Sequence, residues 1–341
     1  MLIYVNMPYT DYEMLAEYRL GEQGFHCRKL DKFDLPQPVT FGDGLRYSAN
    51  WNDLDRMADS SHLAISPLPY STTLDDKSIQ LRLATQQMAL GDDYAVVGLE
   101  VYNPRVQPLT KNEREEVAAG SFKPFAQKVL SFVDALARDD QKVSLYGFSM
   151  GADVSVEAAH INMFSAHGGI RPIDYLGAFE CAGMQNRGRL ALQRVISTSL
   201  AFRESGPDLW RNVVASRSPA LLEAREISGI SPADEKLHDK RVAKGVKNYI
   251  SVDKRGSWAL ASGFGNAMSR YRLSDITASP GTMPKTTVGR MQRSTLMPED
   301  FRDLLGESTK LVTAEYDEDH SAADRLTMSA AFILQTQRIT A

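Results

Sequence analysis

Nearly continuous apolar runs alternate with amphipathic segments through much of the chain, and this alternation predicts strands and helices in turn. Such runs are typical of strands that a sheet buries on both faces. They occupy residues 63–66, 94–101, 143–148 and 173–180. Between them, residues 77–90 and 122–137 carry apolar side chains at three- to four-residue spacing, as amphipathic helices do. The alternation predicts βαβ units, and therefore an α/β fold with a mostly parallel sheet and right-handed crossovers.

The chain before and after this region has a different pattern. Residues 1–60 are less regular, but apolar runs at 25–30 and 39–41 are consistent with strands and suggest an antiparallel start to the sheet. Residues 187–272 give only helical signals, the last of them a helix at 257–269, with several Gly and Pro breaks, and predict a helical insertion. The alternation then resumes. The elements predicted there are strands at 283–290 and 310–315, a helix at 298–305 that starts at a proline, and a last helix at 322–334.

Composition sets limits on size and partners. The 341 residues are 43% hydrophobic, which is enough for a large core, and the formal net charge is −4. That charge does not indicate a nucleic-acid-binding protein or a surface drawn to anionic lipid. The N-terminus lacks the basic region of a secretory signal, and no apolar run approaches the ~18 residues that span a membrane. We therefore expect a cytoplasmic protein with no integral membrane association.

The cysteines and histidines give no metal-binding pattern. Cys27 and Cys181 lie far apart, and no pair of histidines has the H-x-x-x-H spacing. A dedicated zinc site is therefore not expected, and the chemistry predicted below requires no metal or cofactor.

Residues 143–151 hold the strongest candidate for chemistry. An apolar strand is followed by Gly-Phe-Ser-Met-Gly at 147–151, and a helical pattern follows directly. A strand that turns straight into a helix leaves little room at the turn, and glycine supplies that room because it has no Cβ. Ser149 would then lie at the tip of a strained turn with its hydroxyl exposed. This is the nucleophile-elbow pattern, so we predict that Ser149 is a nucleophile.

A serine nucleophile needs a histidine base and a carboxylate that orients the histidine. With this elbow the expected chain order is serine, acid, histidine. The histidines that follow Ser149 are His160, His167, His238 and His320. The first two lie on or just after the elbow helix, and His238 lies in the helical insertion. His320 follows a predicted strand and precedes the last helix, where a loop would return to the elbow, so we predict His320 as the base.

Together, the elbow, the histidine loop and the order of strands and helices resemble the α/β-hydrolase fold superfamily. The resemblance covers residues 60–185 and 283–341, and the helical insertion stands where that family places its cap or lid. It implies a hydrolase core at 1–185 and 283–341 with a helical cap at 186–282. It also implies esterase- or lipase-like cleavage of a carboxylic ester or thioester through an acyl-enzyme intermediate.

The same resemblance implies an oxyanion hole with two backbone N–H donors. One donor is the residue after the nucleophile, Met150. The other should come from the loop after the first buried strand, where Pro67 and Pro69 have no N–H. We therefore expect Leu68 as the second donor, with Tyr70 as the alternative.

The acid has several candidates. Many members of the superfamily place an aspartate after the penultimate strand, where this chain has Ser294. Others place the acid after the strand that follows the elbow helix. Glu180 ends that strand here, so Glu180 is our first choice. Glu299, Asp300 and Asp317 stay open as alternatives.

Aromatic residues near these positions are candidates for substrate binding. Tyr70 and Phe148 lie in the oxyanion loop and the elbow, whereas Trp210 and Trp258 lie in the insertion, where they could line an acyl pocket or form the insertion's own core. The expected substrate is a small ester or a lipid-like molecule. Two alternatives stay open: a cell-envelope lipid esterase of the phage-lysis type, and a non-catalytic protein that uses the fold to bind a ligand or partner.

Overall fold

The computed structural model describes the central sheet and the helices that surround the candidate site. The residues described are 3–4, 38–42, 44–49, 57, 59–70, 72–75, 79, 82–83, 86–87, 90, 93–165, 171–184, 252–279, 281–291, 297–305 and 308–316. The strand predicted at 25–30, the helix predicted at 322–334 and residues 185–251 of the insertion lie outside them.

A single sheet contains all nine strands of the described residues. They are β1 (Ile3–Tyr4), β2 (Val39–Phe41), β3 (Leu45–Ala49), β4 (His62–Pro67), β5 (Tyr94–Glu100), β6 (Lys142–Phe148), β7 (Ile173–Phe179), β8 (Lys285–Met291) and β9 (Leu311–Tyr316). Their order across the sheet is β1-β9-β8-β7-β6-β4-β5-β3-β2. Neighbours from β1 to β5 in this order are parallel, and the β5–β3 and β3–β2 pairs are antiparallel. The prediction of an α/β fold with a mostly parallel sheet is confirmed.

The antiparallel edge is also where the sequence prediction was incomplete. β2 matches the strand predicted at 39–41, but β3 was missed. The segment 45–49 is short, and only its start alternates: Leu45 and Tyr47 are buried and Arg46 is partly buried, but Ser48 is buried too. Such alternation suits a strand with one face toward the core, but five residues carry only a weak signal.

The chain reverses its direction of travel across the sheet at β4. The connection after β4 leads to β5 on one side, and the chain then passes β4 again to reach β6 on the other side. In open α/β sheets the loops that follow two such strands diverge, and the crevice between them is the usual place for a binding site. The loop after β4 and the turn after β6 flank this crevice.

Five helices whose bounds are given by the described residues pack beside the sheet, and the described positions among 79–90 are helical as well, as predicted for 77–90. They are α1 (Lys111–Ala118), α2 (Lys123–Leu136), α3 (Met150–Phe164), α4 (Lys254–Asn266) and α5 (Ser269–Thr277), with short 3-10 helices at Ala182–Met184 and Phe301–Leu304. The prediction missed α1, although a capping box marks its start. Thr110 Oγ1 accepts a hydrogen bond from Glu113 N at 3.3 Å, and Glu113 Oε2 accepts one from Thr110 N at 2.7 Å.

Two helix predictions were wrong in extent. The segment 298–305 forms only the 3-10 helix Phe301–Leu304, and Asp300 before it makes no side-chain cap hydrogen bond. The segment 257–269 does not form one helix: α4 ends at Asn266, and α5 starts at Ser269. Between them, Met268 N donates a hydrogen bond to Gly120 O at 3.1 Å, which fixes the joint against the α1–α2 connection.

The core lies between the sheet and these helices. α3 is buried along most of its length, as expected for a helix that is covered on all sides. Leu260 and Phe264 of α4 and Leu273 and Ile276 of α5 belong to the same hydrophobic cluster as the central strands. The described end of the helical insertion therefore shares the core of the sheet. No helix in the described ranges combines the length and apolar character needed to cross a bilayer.

Candidate active site

A strained turn joins β6 to α3 at Ser149. This residue has φ 52° and ψ −124°, and α3 begins at the next residue. The flanking glycines are required by close packing. A Cβ at Gly147 would overlap the backbone of Gly151 and Ala152, and a Cβ at Gly151 would overlap the carbonyl oxygen of Pro67. The sequence motif therefore forms the tight strand–turn–helix geometry that it predicts.

This backbone conformation carries an energetic cost that neighbouring contacts must offset. A non-glycine residue at positive φ costs about 1–3 kcal/mol and persists only where its surroundings fix it. Here Ser149 N donates a hydrogen bond to Phe179 O at 3.0 Å, and Ala152 N donates one to Ser149 O at 2.9 Å. The serine side chain is partly exposed. The turn thus presents a hydroxyl at the carboxyl edge of the sheet.

Glu180 makes a second turn of the same kind on the neighbouring strand. Phe148 and Phe179 are register partners on β6 and β7, so Ser149 and Glu180 leave the sheet at the same level. Glu180 has φ 50°, and these two are the non-glycine residues with positive φ among those described. Its side chain is fully buried.

The end of β8 holds Glu180 through both its backbone and its side chain. Glu180 N donates a hydrogen bond to Gly289 O at 2.8 Å, and Met291 N donates one to Glu180 Oε1 at 2.5 Å. A carboxylate has two oxygens and about four acceptor sites. The bond at Oε1 is therefore compatible with a carboxylate that also accepts a hydrogen bond from a histidine.

The loop after β4 lies against the start of α3, but the expected oxyanion donor in it is already engaged. Leu68 N donates a hydrogen bond to Leu99 O at 2.9 Å, which extends the β4–β5 ladder beyond Pro67. The expectation that Leu68 supplies the second oxyanion donor is therefore contradicted. The chain turns only after this point, where Thr72 Oγ1 donates to Pro69 O at 2.8 Å. Tyr70, the alternative donor, lies inside that turn.

A buried carboxylate that the sequence analysis missed anchors this loop. Glu100, at the end of β5, accepts hydrogen bonds from Leu74 N at 3.4 Å and Asn103 Nδ2 at 3.0 Å, and it pairs with Arg46 at 3.0 Å. Burial raises the pKa of Glu100, and the arginine and the hydrogen bonds oppose that shift. Its position at a strand end was the available signal, but the partners are distant in sequence.

A second carboxylate missed from the sequence is Asp153, one turn into α3. It is fully buried, and burial raises its pKa to about 6. Its oxygen Oδ1 accepts hydrogen bonds from Cys181 Sγ, Gly183 N and Ser269 Oγ. An aspartate in the first turn of a helix is ordinarily explained by the helix dipole, so its position alone did not mark it as a candidate.

Comparisons with known proteins place this architecture. Neither a protein-family model nor a curated protein sequence matches the chain. Solved structures do. An α/β hydrolase from a Medee basin deep-sea metagenome has a TM-score of 0.51 at 11% identity, over 89% of this chain and 97% of that one. The protein has the α/β-hydrolase fold. Two other solved structures are similar to the chain. A bromoperoxidase from Bacillus anthracis has a TM-score of 0.57 at 11% identity, over 89% of this chain and 99% of that one. A carboxylesterase from Nitrososphaera gargenis has a TM-score of 0.54 at 12% identity, over 89% of this chain and 99% of that one.

Several predicted site residues of this α/β-hydrolase fold lie outside the described part of the chain. They are His320, Asp317 and Trp210. Two alternatives for the acid are described. Glu299 is exposed and lies 3.8 Å from Arg290, and Asp300 is exposed beside it. Of the acid candidates that are described, Glu180 is the one that is buried beside the elbow.

The aromatic candidates differ in their surroundings. Tyr70 contacts Phe264 of α4 edge to face, with ring centroids 6.4 Å apart, and burial raises the pKa of Tyr70 to about 12. Phe264 is buried and stacks on Phe122 at 5.5 Å. Trp258, on the same helix, is 58% exposed, and Phe148 is partly exposed. Contact between α4 and the loop after β4 thus runs through Phe264.

Proposed function

We propose that the protein is a serine hydrolase that cleaves a carboxylic ester or thioester. The observation that carries this proposal is the pair of strained turns at Ser149 and Glu180, side by side at the carboxyl edge of the sheet. Backbone strain of this kind clusters at functional sites. In the α/β-hydrolase fold, a serine at the tip of such a turn is poised for nucleophilic attack.

The proposed reaction passes through an acyl-enzyme. Ser149 Oγ attacks the substrate carbonyl carbon while His320 takes the hydroxyl proton, and His320 then delivers that proton to the leaving alcohol or thiol. Water attacks the acyl-serine with His320 again as base, and the acid is released. Glu180 orients the imidazole and stabilises its protonated form. No step calls on a metal or cofactor.

Chain length supports His320 as the partner of Glu180. His320 comes four residues after β9, which ends at Tyr316. Four extended residues span about 13–14 Å. Neighbouring strands lie about 4.7–4.9 Å apart, so β7 is about 10 Å from β9, with β8 between them. A loop from the end of β9 is therefore long enough to bring His320 to Glu180.

The oxyanion would be held by backbone N–H groups on two sides of the crevice. Met150 N–H belongs to the first turn of α3, where N–H groups have no acceptor within the helix and the helix dipole favours negative charge. The second donor is assigned to the turn at 69–72, with Tyr70 as the residue of choice. The contact between Gly151 and Pro67 keeps this turn close to the helix start.

We further propose that residues 186–282 form a helical cap over this edge of the sheet. Its described end, α4 and α5, packs beside the candidate site, and Phe264 contacts Tyr70 of the loop. The aromatic contact between Phe264 and Tyr70 suits a small ester or a lipid-like acyl chain. The carboxylesterase among the structural neighbours agrees with this substrate class.

Labelling with a fluorophosphonate probe tests the hydrolase proposal directly. The folded native protein should be labelled, and Ser149→Ala should not be, because the probe forms its covalent bond with an activated serine. A native protein that shows no labelling while folded would rule out the proposal. It would favour the binding alternative, which the engaged Leu68 N–H supports. Hydrolysis of short and long p-nitrophenyl esters would then define the acyl length.

A further inference from the structure

A buried polar cluster lies directly behind the elbow. Asp153, one turn into α3, is fully buried, and its Oδ1 accepts three hydrogen bonds. The donors are Cys181 Sγ at 2.9 Å, Gly183 N at 2.9 Å and Ser269 Oγ at 2.6 Å. Two donors belong to the segment that follows Glu180, and the third is the first residue of α5. One carboxylate oxygen of α3 therefore connects that helix to two other segments, the residues after Glu180 and the start of α5.

The packing around this oxygen leaves no room for adjustment. A Cβ at Gly183 would come within 2.5 Å of both Asp153 Oδ1 and Ala267 Cβ. Burial also raises the pKa of the Cys181 thiol well above its usual value, so the thiol keeps its proton and remains a donor. The segment 181–184 is thus held against α3 at two points, only a few residues from Glu180.

Asp153 keeps this position despite an unfavourable environment. Its other oxygen, Oδ2, has no hydrogen-bond partner among the described residues. Glu157 lies one turn further along α3, and its negative charge adds to the cost of ionising Asp153, although Arg272 pairs with Glu157 at 3.1 Å. Burying a carboxyl group is costly even with partial hydrogen bonding. The three hydrogen bonds at Oδ1 offset part of this cost.

We propose that Asp153 is a positioning residue, which fixes the turn of Glu180 relative to the Ser149 nucleophile through Cys181 and Gly183. The strained conformation of Glu180 persists only while its surroundings hold it. β8 holds Glu180 itself through hydrogen bonds to its backbone and side chain. Asp153 holds the next residues, Cys181 and Gly183. Asp153 touches neither the substrate nor the reacting atoms. The inference rests on the proposed roles of Ser149 and Glu180.

A double-mutant cycle on the rate of fluorophosphonate labelling tests this role. Asp153→Ala should slow labelling about 10-fold or more, the scale of coupling between residues in one network. In a Glu180→Gln background the same change should slow it less than about 2-fold, because the group that Asp153 positions is already gone. Asp153→Asn should restore most of the rate, since its amide oxygen still accepts the three hydrogen bonds. Asp134→Ala, on the exposed side of α2, is the matched control.

Removing single donors keeps the test decisive if Asp153→Ala does not fold. Cys181→Ala removes a contact to the Glu180 segment, whereas Ser269→Ala removes the contact to α5. The proposal expects slower labelling for Cys181→Ala, and that slowing should disappear in the Glu180→Gln background. The proposal is overturned if Cys181→Ala slows labelling equally in the native and Glu180→Gln backgrounds. It is also overturned if Asp153→Ala slows labelling equally in these two backgrounds.

The same measurements separate this inference from the proposed function. If the native protein is not labelled at Ser149, both are overturned. If it is labelled but the effects of Asp153 and Glu180 combine independently, the hydrolase proposal stands and the positioning role of Asp153 is rejected.

Discussion

The turns at Ser149 and Glu180 reach nearly the same positive φ by different means. Both residues follow neighbouring parallel strands, with φ 52° and φ 50°. Around Ser149 the room for the turn is made locally, by glycines two residues away on either side, and one hydrogen bond to Phe179 O of β7 adds to it. Around Glu180 the contacts come from β8 and, through the residues that follow, from α3.

The difference decides what each turn depends on. A turn whose space is made by its own short motif depends mainly on the residues of that motif. A turn held by distant segments forms only once those segments have packed. The Ser149 turn should therefore be most sensitive to changes of side-chain size within the motif, and the Glu180 turn to changes in hydrogen bonding and charge outside its own segment.

The largest expected effect is the loss of the Ser149 turn in Gly147→Ala. The new Cβ would overlap backbone atoms of Gly151 and Ala152, which cannot move without displacing α3. We expect a loss of about 3 kcal/mol or more in the free energy of unfolding, together with loss of labelling. Chemical denaturation measures the first. Gly281→Ala, where the Cβ meets open space, is the matched control and should change stability by less than about 0.5 kcal/mol.

Glu180→Gln should lower activity strongly while it leaves the fold in place. The amide oxygen can still accept from Met291 N, so we expect a stability change within about 1 kcal/mol. Loss of the charge that stabilises a protonated histidine should lower kcat about 10²–10⁴-fold. Ester hydrolysis and denaturation check the two parts. Full activity in Glu180→Gln, with a loss in Glu299→Gln or Asp300→Asn, would move the acid elsewhere.

The features that could be predicted from the sequence are those set by neighbouring residues, and the features that were missed depend on distant segments. The central strands and the elbow were predictable because their signals are local: buried apolar runs, and two glycines around one serine. Leu68 was chosen as a donor because it lies between prolines, but the β5 strand beside it takes up its N–H. Glu100 and Asp153 were not found because their partners lie far along the chain, and only folding brings those partners to one carboxylate.

Asp153 makes the support of the Glu180 turn sensitive to pH. Its pKa rises from an ordinary 3.8 to about 6 on folding, so the folded state binds the proton more tightly than the unfolded state. The stability that protonated Asp153 contributes is fully present below about pH 4 and is lost as pH rises through about 6, by about 3 kcal/mol in all. Asp153→Asn lacks this dependence.

Denaturation from pH 4 to pH 7 measures the difference between native protein and Asp153→Asn. The native protein should lose stability relative to the variant over this range, and Asp134→Asn on the surface should follow the native protein throughout. Parallel curves for native protein and Asp153→Asn would show that Asp153 does not change its proton affinity on folding.

The smallest effect isolates backbone strain at Ser149. Glycine adopts positive φ without steric cost, so Ser149→Gly should be more stable than Ser149→Ala by about 1 kcal/mol, after allowance for the greater entropy of an unfolded glycine. Both variants lack the hydroxyl, so the comparison concerns stability alone.

Ser131, exposed in the middle of α2, provides the matched pair of variants. There glycine should be less stable than alanine by about 1 kcal/mol, because it weakens a helix. Denaturation of the four variants tests for opposite signs at the two sites. The same sign at both would mean that the turn at Ser149 carries no strain for glycine to relieve.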